Sequence, residues 1–213
     1  MLTLYALPAS LYSAKVRIVL RYKRLKWQEA LPPGGYGSAF YKTLVPSGNL
    51  PALEDDGFLM SDSEAIAAYL DEKYPIPPLL PNALSDRARM RERARFHDTR
   101  LEPQLRVLFP HISPDHRDTA LAARQSQEIS LRLGQLAQIL AQAPDLAFGL
   151  GDVGYPATCL WIDALTPILG LQIVWPKTVR AYLSRLRSES AVRAELATYQ
   201  PAVSDWLAVS AGA

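Results

Sequence analysis

Three short stretches carry side chains whose types and spacing suit the binding and activation of an anionic ligand. Ser10, Tyr12 and Ser13 sit where a helix should begin, so two hydroxyls and a phenol lie beside main-chain N–H groups that have no helical partner. Asn49-Leu50-Pro51 precedes an apolar run, and Pro51, which cannot donate a ladder hydrogen bond, should open a strand there. Asp62 and Ser63, within Ser61-Asp62-Ser63-Glu64, place short oxygen side chains at the mouth of another helix, where free N–H groups attract carboxylates. Residues 47–66 therefore read as a place where an extended, peptide-like anion is held through its main chain.

The elements that must position these residues follow from local pattern. Leu2–Tyr5 is a buried strand, interrupted by Pro8. Ser10 is an N-cap for a helix with Val16, Val19 and Leu20 on one face. Trp27–Leu31 reads as a second strand, Pro32-Pro33-Gly34-Gly35 as a break, and Ser38–Leu44 as a short helix. Asp56-Gly57 between apolar runs is a hairpin signal. Ser63–Tyr74 carries Ala65, Ile66, Tyr69 and Leu70 at helical spacing. Residues 1–75 thus form an α/β layer. Four prolines within residues 75–85 mark a linker over 76–85, and residues 86–213 carry helical patterns over 86–109, 116–143, 155–169, 176–187 and 189–197. Leu171–Trp175 is the one strand candidate in that second part. The expected fold class is α/β plus all-α.

Bulk properties narrow the function. A chain of 213 residues with 49% hydrophobic and 21% charged residues has room for one or two domains. Net charge is +2, from 23 basic and 21 acidic residues, which gives no global case for nucleic acid or an anionic membrane. The single cysteine, Cys159, rules out an internal disulfide framework. No metal-ligand spacing surrounds the histidines. No stretch resembles a signal peptide or a membrane span, so the expected location is the cytoplasm.

With these residues in this order, the chain resembles the cytosolic glutathione transferase family. The likeness rests on Ser10–Leu20, Pro46–Leu53 and Asp62–Leu70, and its amino-terminal motif is closest to the serine-type tau- and zeta-like branches. It implies a thioredoxin-like domain followed by an all-helical domain, glutathione as co-substrate, and a two-fold homodimer. By this likeness Pro51 is a cis proline, and Leu50 offers its N–H and C=O to the cysteinyl backbone of glutathione, as an added strand does. Asp62 and Ser63 grip the γ-glutamyl end, and Asn49 lies near the glycyl carboxylate. Ser10 takes the place of the hydroxyl that favours the thiolate, with Ser13 as the alternative and Tyr5 and Tyr12 as outsiders. A pocket for a small electrophilic second substrate would draw on Leu7, Tyr12, His97, Leu101 and Phe109, with Arg93 meeting an acidic substrate.

Each residue also has a plainer reading. Ser10, Asp62 and Ser63 are ordinary helix caps in isolation. The arginines at 87, 89, 91, 93 and 95 read mainly as a solvated helix face. Adjacent residues on a helix point apart, so His97 and Asp98 should not pair. Cys159, Trp161, Trp175 and Trp206 read as packing residues. One departure from the family pattern stands out: Thr158 occupies the place where the capping box of the second domain's core helix has an aspartate. The reading that results is a glutathione-dependent transferase. Its rivals are an isomerase of an unsaturated diacid and a non-catalytic member that keeps the fold as a binding or scaffolding module.

Overall fold

The structure, a computed structural model, describes residues 1–212. Its amino-terminal part runs β1 (Leu2–Tyr5), α1 (Leu11–Tyr22), β2 (Trp27–Ala30), α2 (Ala39–Leu44), β3 (Ala52–Asp55), β4 (Phe58–Ser61) and α3 (Ser63–Lys73). The four strands form one sheet in the order β2-β1-β3-β4. β1 pairs parallel with β2 and antiparallel with β3, which pairs antiparallel with β4. The parallel β1–α1–β2 unit needs a crossover helix, whereas β3 and β4 need only a tight turn. Asp56 and Gly57 make that turn with φ of 49° and 87°, the doubly left-handed geometry that favours glycine at its second place.

From residue 84 onward the ordered elements are helical: α4 (Leu84–Phe96), a wide π-type turn at His97–Leu101, α5 (Glu102–Arg106), α6 (Thr119–Ala141), α7 (Tyr155–Leu169), α8 (Lys177–Ser188) and α9 (Ser190–Ser210). The fold is therefore a small four-stranded α/β layer followed by a mostly helical part, as the sequence leads one to expect. Two details differ. α9 runs on to Ser210 through Pro201, because Val192, Glu195, Tyr199, Val203 and Leu207 continue one buried face past the proline. Leu171–Trp175 forms no strand. Its amides are taken by α6 side chains instead, Gln172 N–H donating to Ser126 Oγ at 3.0 Å and Val174 N–H to Ser130 Oγ at 2.9 Å.

The two parts share a core. Leu4, Val16 and Ile66 pack in one apolar cluster with Met90, Leu150, Val153 and Val192. Buried ions cross the same boundary. Glu195 on α9, fully buried, accepts from Arg17 Nε at 2.6 Å and from Arg21 Nε at 3.0 Å on α1. Lys15, also on α1, pairs with Glu64 of α3 at 2.7 Å and Asp98 at 2.8 Å. Unpaired, such buried charges would be costly, so these pairs fix how α1 sits between its neighbours.

At residues 149–158 Asp152, rather than Thr158, takes the turn. Its carboxylate accepts from Gly149 N–H at 2.9 Å, from Arg93 Nη1 at 2.6 Å and from the Tyr182 hydroxyl. Thr158 lies in the first turns of α7, its hydroxyl 2.6 Å from His97 Nε2. The backbone at Gly154 passes so close to this histidine that a Cβ there would stand 2.5 Å from its ring. Only glycine fits.

Candidate functional site

A cleft of about 1,320 Å³ lies between the α/β layer and the helices. Three loops of the layer supply one wall: Leu7–Ser10 after β1, Ser47 and Asn49–Pro51 before β3, and Ser61–Ser63 between β4 and α3. The three sequence stretches singled out for chemistry thus meet at one place, although they are far apart along the chain.

Ser10 is held there by contacts on every side. Its extended backbone (φ −68°, ψ 120°) makes it the N-cap of α1. Arg17 Nη2 donates to the carbonyl of Pro8 at 3.0 Å, and the buried Tyr199 hydroxyl of α9 donates to that of Ala9 at 3.1 Å. Ser10 N–H closes the turn onto Leu7 at 3.0 Å. The Ser10 hydroxyl oxygen accepts from Ser13 N–H at 3.3 Å and from the Ser13 hydroxyl at 2.9 Å. A hydroxyl has two acceptor lone pairs and one proton. With both lone pairs engaged inside the helix, the Ser10 proton is the group left to donate into the cleft. Ser13 is itself fully buried and does not line the cleft.

The two tyrosines are committed elsewhere. Tyr12 donates to Glu102 Oε2 at 2.9 Å, and burial together with that carboxylate pushes its pKa far up. Tyr5 donates to Glu54 at 2.8 Å, which likewise raises its pKa. Neither hydroxyl offers its proton to a ligand in the cleft.

Beside Ser10, the Leu50–Pro51 peptide is cis, and among the described residues neither the N–H nor the C=O of Leu50 has a hydrogen-bond partner. The buried Tyr41 of α2 steadies this segment by donating its hydroxyl to the Asn49 carbonyl at 3.1 Å. Asp62 adopts φ +79°, strained for a residue with a Cβ. That backbone turns its Oδ1 onto Glu64 N–H at 3.0 Å and Ala65 N–H at 2.9 Å, capping α3. The second carboxylate oxygen, and the hydroxyl and N–H of Ser63, remain without partners among the described residues. One acceptor and two donors at a helix mouth suit a group carrying both an ammonium and a carboxylate.

The opposite wall is aromatic and cationic. Phe109, Trp161 of α7 and Trp206 of α9 pack edge to face, with ring centroids 4.9 Å apart for Phe109–Trp161 and 5.4 Å for Trp161–Trp206. Tyr12 joins them, and the Arg106 guanidinium stands 5.6 Å from its ring and 5.0 Å from that of Phe109. Arg95, Asp98, Thr99 and Asp205 complete this side. The tryptophans read as packing residues; Trp161 is packed, yet it and the half-exposed Trp206 face the cleft. Their packing partners lie far away in sequence, so no local pattern announced this.

Three expected pocket residues do not reach the cleft. Arg93 is turned into the core by Asp152 and Tyr182. Leu101 is fully buried in the helical core. His97 is 1% exposed and held between Asp98 Oδ1 at 2.7 Å and Thr158. The His97–Asp98 pairing, not expected of neighbours on a helix, forms at the start of the wide π-type turn. Burial works against the ionised form of Asp98, but the His97 hydrogen bond and the Lys15 charge outweigh it and hold the carboxyl at about 2. Cys159 is core, its thiol pushed well up by burial.

Elsewhere, a cavity of about 400 Å³ beside Leu171–Trp175 shares no residue with the cleft, and its charges, Asp163 and Arg180, satisfy each other. Among the described residues no cluster of metal-ligating side chains occurs, and no helix is long and apolar enough to cross a membrane.

Comparison with known proteins agrees with this geometry. Residues 4–78 match the family model described as glutathione S-transferase, N-terminal domain. Glutathione S-transferase Z1 of Arabidopsis thaliana is 42% identical over 90 residues, 41% of each chain. The maleylacetoacetate isomerase of Pseudomonas aeruginosa is 41% identical over 95 residues, 41% of this chain and 44% of that one. The chain therefore spans only about two fifths of the length of these zeta-type relatives. A stringent starvation protein A homolog of Haemophilus ducreyi matches more widely, 28% identical over 188 residues, 87% of this chain and 85% of that protein. Among solved structures, the glutathione transferase URE2P5 of Phanerochaete chrysosporium superimposes with a TM-score of 0.82 over 96% of this chain and 97% of that one, at 21% identity, a likeness of fold. Residues 4–78 thus carry a glutathione S-transferase amino-terminal domain, the domain by which that family takes glutathione as co-substrate, and the chain as a whole has the fold of solved glutathione transferases.

Proposed function

We propose that this protein is a glutathione-dependent enzyme of the serine type, in which Ser10 favours the thiolate for attack on an electrophilic carbon. The observation that supports the reading is the Ser13–Ser10 pair, in which Ser13 donates to the Ser10 hydroxyl oxygen from its N–H and its hydroxyl, so that the Ser10 proton is the one to be donated to sulfur. A free thiol with a pKa near 8.5 is mostly protonated at neutral pH. A hydroxyl donor and the positive end of a helix both favour its charged form. Leu50 pairs with the cysteinyl backbone, and Asp62 with Ser63 holds the ammonium and carboxylate of the γ-glutamyl end. Asn49 lies toward the glycyl end. Ser13 acts through Ser10 as a positioning residue, without touching sulfur.

Transfer and isomerisation share the first step, formation of a carbon–sulfur bond by the thiolate. The zeta-type relatives favour isomerisation of an unsaturated acid, in which the thiol is later expelled. Assembly as a homodimer and a cytoplasmic location belong to this reading through the family. The wide match to stringent starvation protein A homologs keeps a second reading, a binding module of the same fold without turnover. Calorimetry with glutathione, followed by nuclear magnetic resonance of a cis-unsaturated keto acid with and without glutathione, separates them. The enzyme binds glutathione and converts the acid only in its presence. Binding without any turnover across a panel of electrophiles supports the module, and no binding rejects both the tripeptide and the role of Ser10.

A further inference from the structure

The turn that presents Ser10 is held from behind by side chains near the other end of the chain. Glu195 and Tyr199 lie one helical turn apart on the buried face of α9. Glu195 holds Arg17, which donates to the carbonyl of Pro8, and Tyr199 donates to the carbonyl of Ala9 at 3.1 Å.

The Ala9 contact has a forced direction. An indole nitrogen can only donate, and that of Trp161 donates to the Tyr199 oxygen at 2.7 Å. The single Tyr199 proton therefore goes to the Ala9 carbonyl. Burial outweighs the Trp161 hydrogen bond and the charges of Arg17 and Arg106, and together with Glu195 it pushes the Tyr199 pKa well up. The hydroxyl thus keeps its proton at neutral pH.

The Ala9 carbonyl and the Ser10 N–H belong to one planar peptide unit. Tyr199 holds one end of it, and the other end closes onto the Leu7 carbonyl at 3.0 Å. The next peptide is fixed as well, since the Ser10 carbonyl accepts from Ala14 N–H at 3.0 Å. With the planes on both sides of its Cα held, the direction of the Ser10 Cβ is set. A hydrogen bond weakens steeply as its angle departs from linear. A rocking Ala9–Ser10 plane would therefore weaken a hydroxyl–sulfur bond without removing any atom from the site.

We infer that Tyr199 and Trp161 are positioning residues for thiol activation, because the chain of hydrogen bonds from Trp161 through Tyr199 to Ala9 fixes the peptide that aims the Ser10 hydroxyl at sulfur. This rests on the glutathione-dependent reading above. Tyr199 is 1% exposed and does not line the cleft, so it acts through the backbone. Trp161 does line the cleft, so the same chain connects the helical wall to the Ser10 turn.

The test titrates the ultraviolet absorbance of the thiolate of glutathione bound to the full chain as wild type, Tyr199→Phe, Trp161→Phe and Tyr155→Phe. Unfolding midpoints in urea and glutathione binding by calorimetry are read on the same preparations. Tyr155 is the matched control: its buried hydroxyl also donates to a backbone carbonyl, that of Arg93 at 2.9 Å, and it does not line the cleft. Tyr199→Phe is expected to lower the thiolate-to-thiol ratio of bound glutathione about fivefold at a given pH, the effect of one ordinary hydrogen bond. Trp161→Phe leaves the hydroxyl but frees its direction, and about a twofold fall is expected. Tyr155→Phe is expected to lower the unfolding midpoint and leave the thiolate titration at its wild-type place. A Tyr199→Phe protein that loses stability but titrates like the wild type overturns the inference, as does an equal shift from Tyr155→Phe. If Tyr199→Phe does not fold, the Trp161→Phe titration decides, and an unmoved midpoint there overturns the inference. Wild-type protein that does not bind glutathione, or whose bound glutathione titrates like the free tripeptide, overturns the reading beneath it as well.

Discussion

The amino-terminal wall of the cleft presents hydroxyls and main-chain groups at the ends of short elements, whereas the helical wall presents large side chains gathered from residues 95, 106, 109, 161 and 206. On the first wall, position is set by caps and turns within a few residues: Ser10 with Ser13, Asp62 with Glu64 and Ala65. On the second, position is set by packing between helices more than 50 residues apart, as with Phe109 and Trp161. One wall is suited to a ligand recognised through its backbone, and the other to a ligand met by ring faces and guanidinium groups.

Cutting the link between the walls should give the largest effect. Glu195→Leu leaves Arg17 without its buried partner and frees the loop that Arg17 holds at Pro8. Loss of about 3–5 kcal/mol of stability is expected, read from urea unfolding midpoints. If the loss is below about 1 kcal/mol, the α1–α9 ion pair is not what joins the two parts. Ser10→Ala, confined to the first wall, should lower turnover about 10²-fold at saturating glutathione with the fold intact by circular dichroism.

The junction also has a pH signature. Aspartate titrates near 3.9 when unfolded, and Asp98 is held at about 2 in the fold. Its folded value is the lower, so its contribution is present above about pH 4 and is lost as the pH falls through about 2. On the order of 2 kcal/mol should disappear over that window, and Asp98→Asn should remove that part of the acid sensitivity in urea melts at pH 2–5. The smallest effect belongs to Tyr41→Phe. It takes one hydrogen bond from the Asn49 carbonyl and should weaken glutathione by about 1 kcal/mol, about fivefold by calorimetry, without changing turnover at saturation.

The contrast between the walls also explains what was legible in the sequence. Ser10, Asp62 and the Asp56-Gly57 turn announce themselves because caps and hairpins are local, and the residues that make them are neighbours in the chain. Leu50 and Pro51 carry weight only beside the family pattern, since a lone proline says nothing of its isomer. Arg93, His97 and Leu101 were misplaced because a helix pattern with scattered arginines does not tell which face meets a core. Arg93 turns inward for Asp152, 59 residues away. Trp206 was out of reach for a simpler reason, since the expected last helix stopped at residue 197, short of it.

The central claim is that a hydroxyl at the mouth of α1 lowers the pKa of glutathione's thiol. It is tested most directly by titrating the ultraviolet absorbance of the thiolate of glutathione bound to the wild type, Ser13→Ala and Ser10→Ala proteins. The wild type should titrate well below the ordinary thiol value of about 8.5, Ser13→Ala part of the way back, and Ser10→Ala close to it. A wild-type midpoint equal to that of free glutathione, or the same midpoint in wild type and Ser10→Ala, would contradict the account.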